Sequence, residues 1–170
     1  MSETKDWILG KDDTRHPLQD LQAYCDAVDR LLPQGRRTLR IQAPTLDSEL
    51  LNRDSVSSAV AALIRVSPNT RIRLLLSDSS EAVRNGHCLI RLAQRFPSYF
   101  EIRKLSEWSG RGPSWLVLDE TAIIWRRDYL RYADGYAICD AAAEAGALCR
   151  SFDESWEQAR TDPDLRRLHL

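Results

Sequence analysis

Short apolar runs alternate with segments of helical periodicity through much of this chain. Residues 38–43 alternate apolar and polar side chains, residues 71–76 are almost continuously apolar, and residues 99–103 form a third run of this kind. Between these runs, residues 54–66 and 81–96 carry apolar side chains at helical spacing. Strands and helices that alternate at these lengths predict an α/β fold, with a parallel or mixed sheet covered by helices on both faces.

A hairpin follows the third strand. Residues 115–118 and 122–125 are apolar runs joined by the turn Asp119-Glu120-Thr121, and residues 136–139 form another short run. Residues 141–160 are mostly helical, and the capping-box spacing of Ser151 and Glu154 predicts a break near residue 150.

The chain is predicted to form one domain with a short extension. Residues 1–14 are predicted to be an irregular N-terminal arm, followed by a helix over 15–32 that Asp13 or Thr14 would cap. The sequence contains no internal repeat and no long linker. The expected organisation is an arm, 1–14, and a single α/β domain, 15–170.

The composition fits a cytoplasmic globular protein. Of the 170 residues, 43% are hydrophobic and 29% are charged, and no apolar run approaches the ~20 residues that span a bilayer. The N-terminus lacks the basic and then apolar order of a secretory signal. No two of the four cysteines stand in a Cys-x-x-Cys pair, so we expect reduced thiols at Cys25, Cys88, Cys139 and Cys149.

Positive charge is concentrated in the middle of the chain. The net charge is −1, but residues 36–111 carry 13 basic and 7 acidic side chains, and 21 of the 24 cationic residues are Arg. Arginine suits carboxylate or phosphate ligands, and it equally suits ordinary surface ion pairs. The charge pattern leaves both interpretations open.

The sequence lacks the common motifs of cofactor and metal sites. Gly110-x-Gly112 leads into Pro113 and a strand rather than a helix, which is unlike a nucleotide-binding loop. A Gly-x-Ser-x-Gly elbow, a His-Glu-x-x-His helix and the paired Cys/His clusters of zinc sites are also absent. We therefore expect no cofactor and no metal.

His87 is the histidine placed best for binding. His16 and His169 fall in segments expected to be mobile or at the surface, whereas His87 follows the strand at 71–76, near the edge where α/β proteins bind ligands. Val83 and Ile90 flank it at helical spacing, so a partly buried, hydrogen-bonded helix residue is the alternative.

The best basic cluster is Arg126, Arg127 and Arg131. It follows a predicted strand, and Trp125 and Tyr129 beside it could provide a stacking surface for a nucleotide. The nearby residues Asp128 and Asp134 could instead neutralise the cluster. An anion site and a neutralised surface both remain possible interpretations.

The order of elements and a few residues over 36–160 resemble the phospholipase D-like superfamily. In that superfamily the pattern His-x-Lys-x-x-x-x-Asp ends at a hairpin turn, where Asp119 stands here, and a Gly-Ser-x-Asn-like segment corresponds to residues 125–128. Phe152 and Trp156 resemble the closing aromatic residues. The resemblance implies a mixed, mainly parallel sheet with helices on both faces.

The same resemblance implies that catalysis has been lost. Counting back from Asp119, the nucleophilic His position is Gly112 and the Lys position is Ser114, and the chain contains no His-x-Lys. Glycine and serine cannot replace an imidazole nucleophile and a phosphate-binding cation.

Two segments near the C-terminus resemble a second group, an uncharacterised bacterial family in which similar domains are sometimes fused to GNAT-type acetyltransferases. The segments are residues 152–156 and 162–168. This chain lacks an acetyl-CoA loop, so no acetyltransferase activity is inferred, and action with an acetyltransferase partner is part of the alternative that this resemblance implies.

The leading hypothesis is a non-catalytic domain that binds a phosphorylated ligand or nucleic acid at the degenerate site. Its candidate residues are polar groups at predicted strand ends and nearby arginines: Thr45, Ser77, Asp78, His87, Arg111, Arg126 and Arg127.

Two alternatives stay open. One is a protein-interaction, scaffold or homodimerisation module that uses a sheet edge or the face carrying Trp108, Trp115 and Trp125. The other is an enzyme of another class that uses His87, Asp78 and an acidic Cys88.

Overall fold

The centre of the protein is one eight-stranded sheet. The structure is a computed structural model that describes residues 6–105 and 112–166. The strands, in chain order, are β1 (His16–Leu18), β2 (Thr38–Ala43), β3 (Arg71–Leu76), β4 (Phe100–Lys104), β5 (Ser114–Leu118), β6 (Ala122–Arg126), β7 (Gly135–Ile138) and β8 (Arg160–Thr161). Across the sheet they lie in the order β1-β7-β6-β5-β2-β3-β4-β8.

Most neighbouring strands are antiparallel, so the expectation of a mainly parallel sheet is wrong. Among the described strands, β2·β3 and β3·β4 are parallel, whereas β1·β7, β7·β6, β6·β5, β5·β2 and β4·β8 are antiparallel. The reason is the short connections after β5 and β6, which allow only antiparallel neighbours. The sheet is mixed, and its parallel part is confined to the strands joined by helices.

Helices cover both faces of the sheet. They are α1 (Leu21–Leu31), α2 (Ser48–Leu51), α3 (Asp54–Val66), α4 (Ser80–Arg84), α5 (Cys88–Arg95), α6 (Ala142–Gln158) and α7 (Pro163–Arg166), with a 3-10 turn at Leu32–Gln34. The main core joins α1, α3 and α5 to one sheet face. On the opposite face, α6 packs Phe152 and Trp156 against Leu75, Trp115 and Val117.

Local hydrogen bonds explain where the helices differ from the sequence prediction. The first helix begins at Leu21, because Asp20 accepts the Ala23 N–H and caps it, and the preceding residues pair with β7 as β1. The helix predicted over 81–96 is interrupted, since Gly86 has a left-handed φ of 65° and His87 caps the next helix. By contrast, α6 runs without the predicted break.

Gly135 allows α1 to approach β7 closely. A Cβ atom at this position would lie 1.8 Å from the Tyr24 hydroxyl oxygen and 2.4 Å from the Trp125 carbonyl oxygen. Only glycine leaves room for Tyr24, which is buried beneath the loop that follows β6. The contact fixes Tyr24 beneath this loop.

Candidate anion-binding site

Three chain segments meet at one end of the central strands. Thr45 follows the end of β2, Ser114 begins β5, and Arg126 ends β6. The strand register places Ser114 opposite Arg126, and Gln42 of β2 opposite Trp115. Thr45 and Arg126, both sequence candidates, are therefore neighbours in space.

Arg126 is the buried cation of this region. It is 4% exposed and forms an ion pair with Asp47, with 2.9 Å between Nη1 and Oδ2. Its guanidinium carbon lies 4.8 Å from the Tyr132 ring centroid and 5.0 Å from that of Tyr129, within cation–π range. These contacts fix the side chain, and the Asp47 carboxylate balances its charge.

Asp47 connects this ion pair to the backbone. Its Oδ1 accepts the Glu49 and Leu50 N–H groups at 3.1 and 3.2 Å and caps α2, while Oδ2 also accepts the Tyr132 hydroxyl at 2.6 Å. Burial, with the Asp47 carboxylate beside it, raises the pKa of Tyr132, so this hydroxyl stays a donor at neutral pH. The side chain of Asp47 therefore holds the loop after β2 against the loop after β6.

A small cavity lies among these side chains. It has a volume of about 40 Å³, and Thr45, Asp47, Ser114, Arg126 and Tyr129 contribute to its wall. The Arg126 Nε points into the interior without a hydrogen-bond partner among the described residues. A volume of this size accepts water but not a phosphate ester with its substituents.

A larger cleft opens on the outer side of the same loop. Its volume is about 690 Å³, and its lining residues are Gly112, Arg127, Asp128, Leu130, Arg131, Ala133 and Asp134. Arg127 and Arg131 are both exposed, and Leu130 is 72% exposed. Arg126 thus lines the small cavity and Arg127 lines the outer cleft, because successive side chains at a strand end point to opposite sides.

The two cleft arginines form no direct ion pair in the described part of the chain, although Asp128 and Asp134 line the same cleft. Within residues 6–105 and 112–166, neither Arg127 nor Arg131 forms an ion pair or a side-chain hydrogen bond. Asp128 instead accepts the Leu130 N–H at 2.9 Å and shapes the turn. The neutralising contacts suggested by the sequence are not formed in this part of the chain.

Ser77 and Asp78 are occupied in closing the loop after β3. The Ser77 hydroxyl and the N–H groups of both residues donate to the Pro44 carbonyl at 2.9 to 3.0 Å. The exposed Asp78 carboxylate accepts the Ser80 N–H at 2.9 Å, and hydrogen bonds from Ser80 lower the pKa of Asp78. Arg111 and Trp108 lie outside the described residues.

His87 lies in the interior, fully buried at the start of α5. Its Nδ1 accepts the Leu89 N–H at 3.1 Å, which caps the helix. Burial lowers the pKa of His87 from 6.5 to about 4. The structure therefore places a neutral imidazole here, in contact with its own helix rather than with solvent.

This buried imidazole predicts a loss of stability in mild acid. Because the unfolded chain binds a proton near pH 6.5 and folded His87 only near pH 4, stability is complete above pH 6.5 and falls as the pH decreases. We expect unfolding free energy to fall by about 2 kcal/mol from this group between pH 7.5 and pH 5, measured by urea denaturation. In His87→Asn, which keeps a capping acceptor, this part of the fall disappears. Equal pH dependence in both proteins would contradict the assignment.

Asp119 lies at the opposite end of β5 from Ser114. Its carboxylate accepts three backbone N–H groups, those of Arg36 at 2.8 Å, Arg37 at 2.7 Å and Thr38 at 3.0 Å. Asp119 and Glu120 both have positive φ angles, 54° and 55°, as the central residues of a type I′ turn require. Asp119 thus joins the hairpin turn to the start of β2.

The tryptophan face suggested for dimerisation is largely covered. Trp115 is buried beneath α6 with its ring 5.7 Å from that of Phe152, and Trp125 stacks on Tyr136 at 6.2 Å. These rings serve the second core rather than an open docking surface in the described part of the chain.

The four cysteines are free and buried. Cys88 donates to the Leu51 carbonyl at 3.3 Å, and burial raises the pKa of its thiol. A cysteine nucleophile requires the opposite shift.

Among the described residues, none of the helices has the length and apolar character needed to cross a bilayer.

Comparisons of the sequence and of the structure relate the chain to known proteins. Residues 20–168 match the family described as Domain of unknown function (DUF7931). No curated protein matches the sequence.

Two solved structures share the fold. TrmBL2, an archaeal chromatin protein described as showing a novel mode of DNA binding, has 15% identity and a TM-score of 0.66 over 95% of this chain. The match spans only 57% of the TrmBL2 chain. Nuc, a phospholipase D family member from Salmonella typhimurium, has 10% identity and a TM-score of 0.56 over 79% of this chain and 88% of its own. The fold is therefore phospholipase D-like.

Proposed function

The chain belongs to the DUF7931 family, and we propose that it binds the phosphate backbone of nucleic acid without catalysing its cleavage. The observation that carries this proposal is the outer cleft, where Arg127 and Arg131 are exposed and unpaired within the described residues. The two guanidinium groups that line the cleft provide hydrogen-bond donors of the kind that phosphodiesters require, and Asp128 and Asp134 line the cleft beside them.

The position of the cleft supports a phosphate ligand. Gly112, which also lines the cleft, is the residue that the resemblance to the superfamily aligns with the catalytic histidine. The fold would thus keep a phosphate-binding place while losing its nucleophile. TrmBL2 is described as binding DNA, and this agrees with the proposal.

The sequence candidates take different roles in this proposal. Arg127 would contact phosphate directly, together with Arg131, the third member of the basic cluster identified in the sequence. Arg126 and Thr45 would hold the loop in place from beneath, since Arg126 is paired with Asp47 and Thr45 is hydrogen-bonded to Tyr129. Ser77, Asp78 and His87 would support the neighbouring loops through the backbone contacts that they already make.

We expect Arg127→Ala/Arg131→Ala to weaken nucleic acid binding at least tenfold. The measurement is fluorescence anisotropy of labelled single-stranded DNA, single-stranded RNA and duplex DNA at several salt concentrations. Losing two phosphate contacts should reduce the slope of log K against log salt by about 1.4 for single strands and about 1.8 for duplex. We also expect the labelled strands to stay intact, because Gly112 and Ser114 offer no nucleophile and no cation.

Arg65→Ala/Arg91→Ala is the matched control. Both residues are exposed on helices, outside the cleft, and the double substitution changes the net charge by the same amount. Equal weakening by both pairs would show general charge attraction rather than a site. No binding of any strand by micromolar wild-type protein would overturn the proposal and favour a protein-interaction role.

A further inference from the structure

A mixed cluster of metal-ligating side chains lies beside β1 and β7, at the end of β7 opposite the loop that lines the cleft. Asp12 precedes β1, His16 begins β1, and Cys139 follows β7. Their carboxylate oxygen, ring nitrogen and sulfur atoms all lie within 4.8 Å of one another. Because β1 pairs with β7, residues separated by more than 120 positions meet here.

Backbone contacts hold the three residues together. The Gly10 N–H donates to the Cys139 carbonyl at 2.9 Å, and the Asp140 N–H donates to the Asp12 carbonyl at 2.8 Å. The His16 ring stacks on Trp7 with 4.5 Å between centroids. Asp12 Oδ1 accepts the Thr14 N–H at 3.0 Å, and Oδ2 forms a hydrogen bond with His16 Nε2 at 2.8 Å, which a bound cation would replace. The donor atoms are therefore positioned before any ligand binds.

The thiol of Cys139 is the unusual member of the cluster. Cys139 is fully buried, yet within residues 6–105 and 112–166 its sulfur makes no hydrogen bond. Asp12 and His16 are partly exposed, with 12% and 20% of their side chains accessible, so the cluster has a side open to solvent. A buried sulfur that faces a partly exposed imidazole and a partly exposed carboxylate has the arrangement of a small cation site.

We propose that Asp12, His16 and Cys139 bind a zinc ion that ties the N-terminal arm to the sheet. Thiolate, imidazole and carboxylate are the donors that zinc prefers. The ligand atoms of a tetrahedral zinc site lie about 3.3 to 3.6 Å apart, and the separations here, from 2.8 Å to at most 4.8 Å, bracket that distance. Three protein ligands leave the fourth position to water on the open side.

A nucleophilic Cys–His–Asp site is the competing interpretation of the same residues. Such a site needs a thiol that a substrate can reach, and Cys139 is fully buried. The geometry therefore favours a cation over a substrate.

Cobalt titration of the metal-free full-length chain tests the proposal. We expect one Co²⁺ per chain, with a thiolate-to-cobalt charge-transfer band in the near ultraviolet and visible bands of tetrahedral cobalt, all displaced by stoichiometric Zn²⁺. Cys139→Ala should abolish the charge-transfer band. The matched control, Cys149→Ala, removes a buried thiol from the second core and should keep it.

Two further variants keep the test decisive if Cys139→Ala does not fold. Asp12→Asn and His16→Gln change partly exposed side chains, and each should weaken Zn²⁺ binding at least tenfold in competition with a chromogenic chelator. Zinc at a hundredfold excess over its Kd should raise the melting temperature of the wild type by about 5–10 °C. Absence of the thiolate band in the wild type, or its persistence in Cys139→Ala, would overturn the proposal.

Discussion

Replacing Asp47 with alanine is expected to destabilise the protein by about 3–5 kcal/mol. The substitution leaves Arg126, which is 4% exposed, as an uncompensated buried charge. It also removes the acceptor of the Tyr132 hydroxyl and the cap of α2. The penalty comes mainly from the unpaired guanidinium rather than from the intrinsic strength of the ion pair.

Urea denaturation at pH 7.5 measures this effect, and Glu49→Ala is the control. Glu49 is an exposed neighbour whose contact with Tyr132 is 3.4 Å long, so its loss should change the stability by less than about 0.5 kcal/mol. Because the orphaned charge causes the loss, adding Arg126→Met to Asp47→Ala should recover part of the stability. This explanation would be contradicted if the double variant were no more stable than Asp47→Ala alone.

Asp119→Ala is expected to cost about 4 kcal/mol, although the residue lies away from the cleft. It removes three charge-assisted hydrogen bonds to the backbone at the start of β2. It also places alanine at a φ of 54°, where aspartate and asparagine are better tolerated. The hairpin turn after β5 would then no longer be hydrogen-bonded to the start of β2.

Glu120→Ala provides a close control, because Glu120 has the same charge and nearly the same φ in the same turn. Its partner Arg40 also contacts Asp153, so the loss should be about 0.5 kcal/mol. Asp119→Asn keeps one acceptor oxygen and should fall between the two. Equal midpoints of urea unfolding for Asp119→Ala and Glu120→Ala would refute the structural role. Below its melting temperature, Asp119→Ala should still bind nucleic acid as the wild type does.

The pattern of apolar residues predicted the strands and helices whose limits depend on their own residues. The strands at 38–43 and 71–76 have the bounds that the apolar runs indicate, because burial decides them residue by residue. The first strand was missed, since His16–Leu18 becomes a strand only through pairing with β7. The expectation of a mainly parallel sheet was also wrong, because strand direction depends on the connections between strands rather than on the composition of each strand.

The residues of the candidate sites also differ in how far the sequence could predict their roles. Arg126 and Arg127 are adjacent in sequence and were predicted to act alike, yet one is buried in an ion pair and the other lines a cleft. Asp47 was missed, although an Asp just before a short helix is a readable capping signal. The Asp12, His16 and Cys139 cluster has no sequence signal, because it depends on the pairing of β1 with β7.

The two edge strands of the sheet affect whether one copy of this protein can pair with another through its backbone. The outer strand β1 has three residues, including Pro17, which has no N–H to offer, and β8 at the other side has only two. Short and proline-containing edge strands present little free backbone to a second molecule, although the part of β4 before Arg103 extends past β8. Growth of the sheet from one molecule to the next, the route by which folded β-proteins begin to form fibrils, is thereby disfavoured even in a crowded solution.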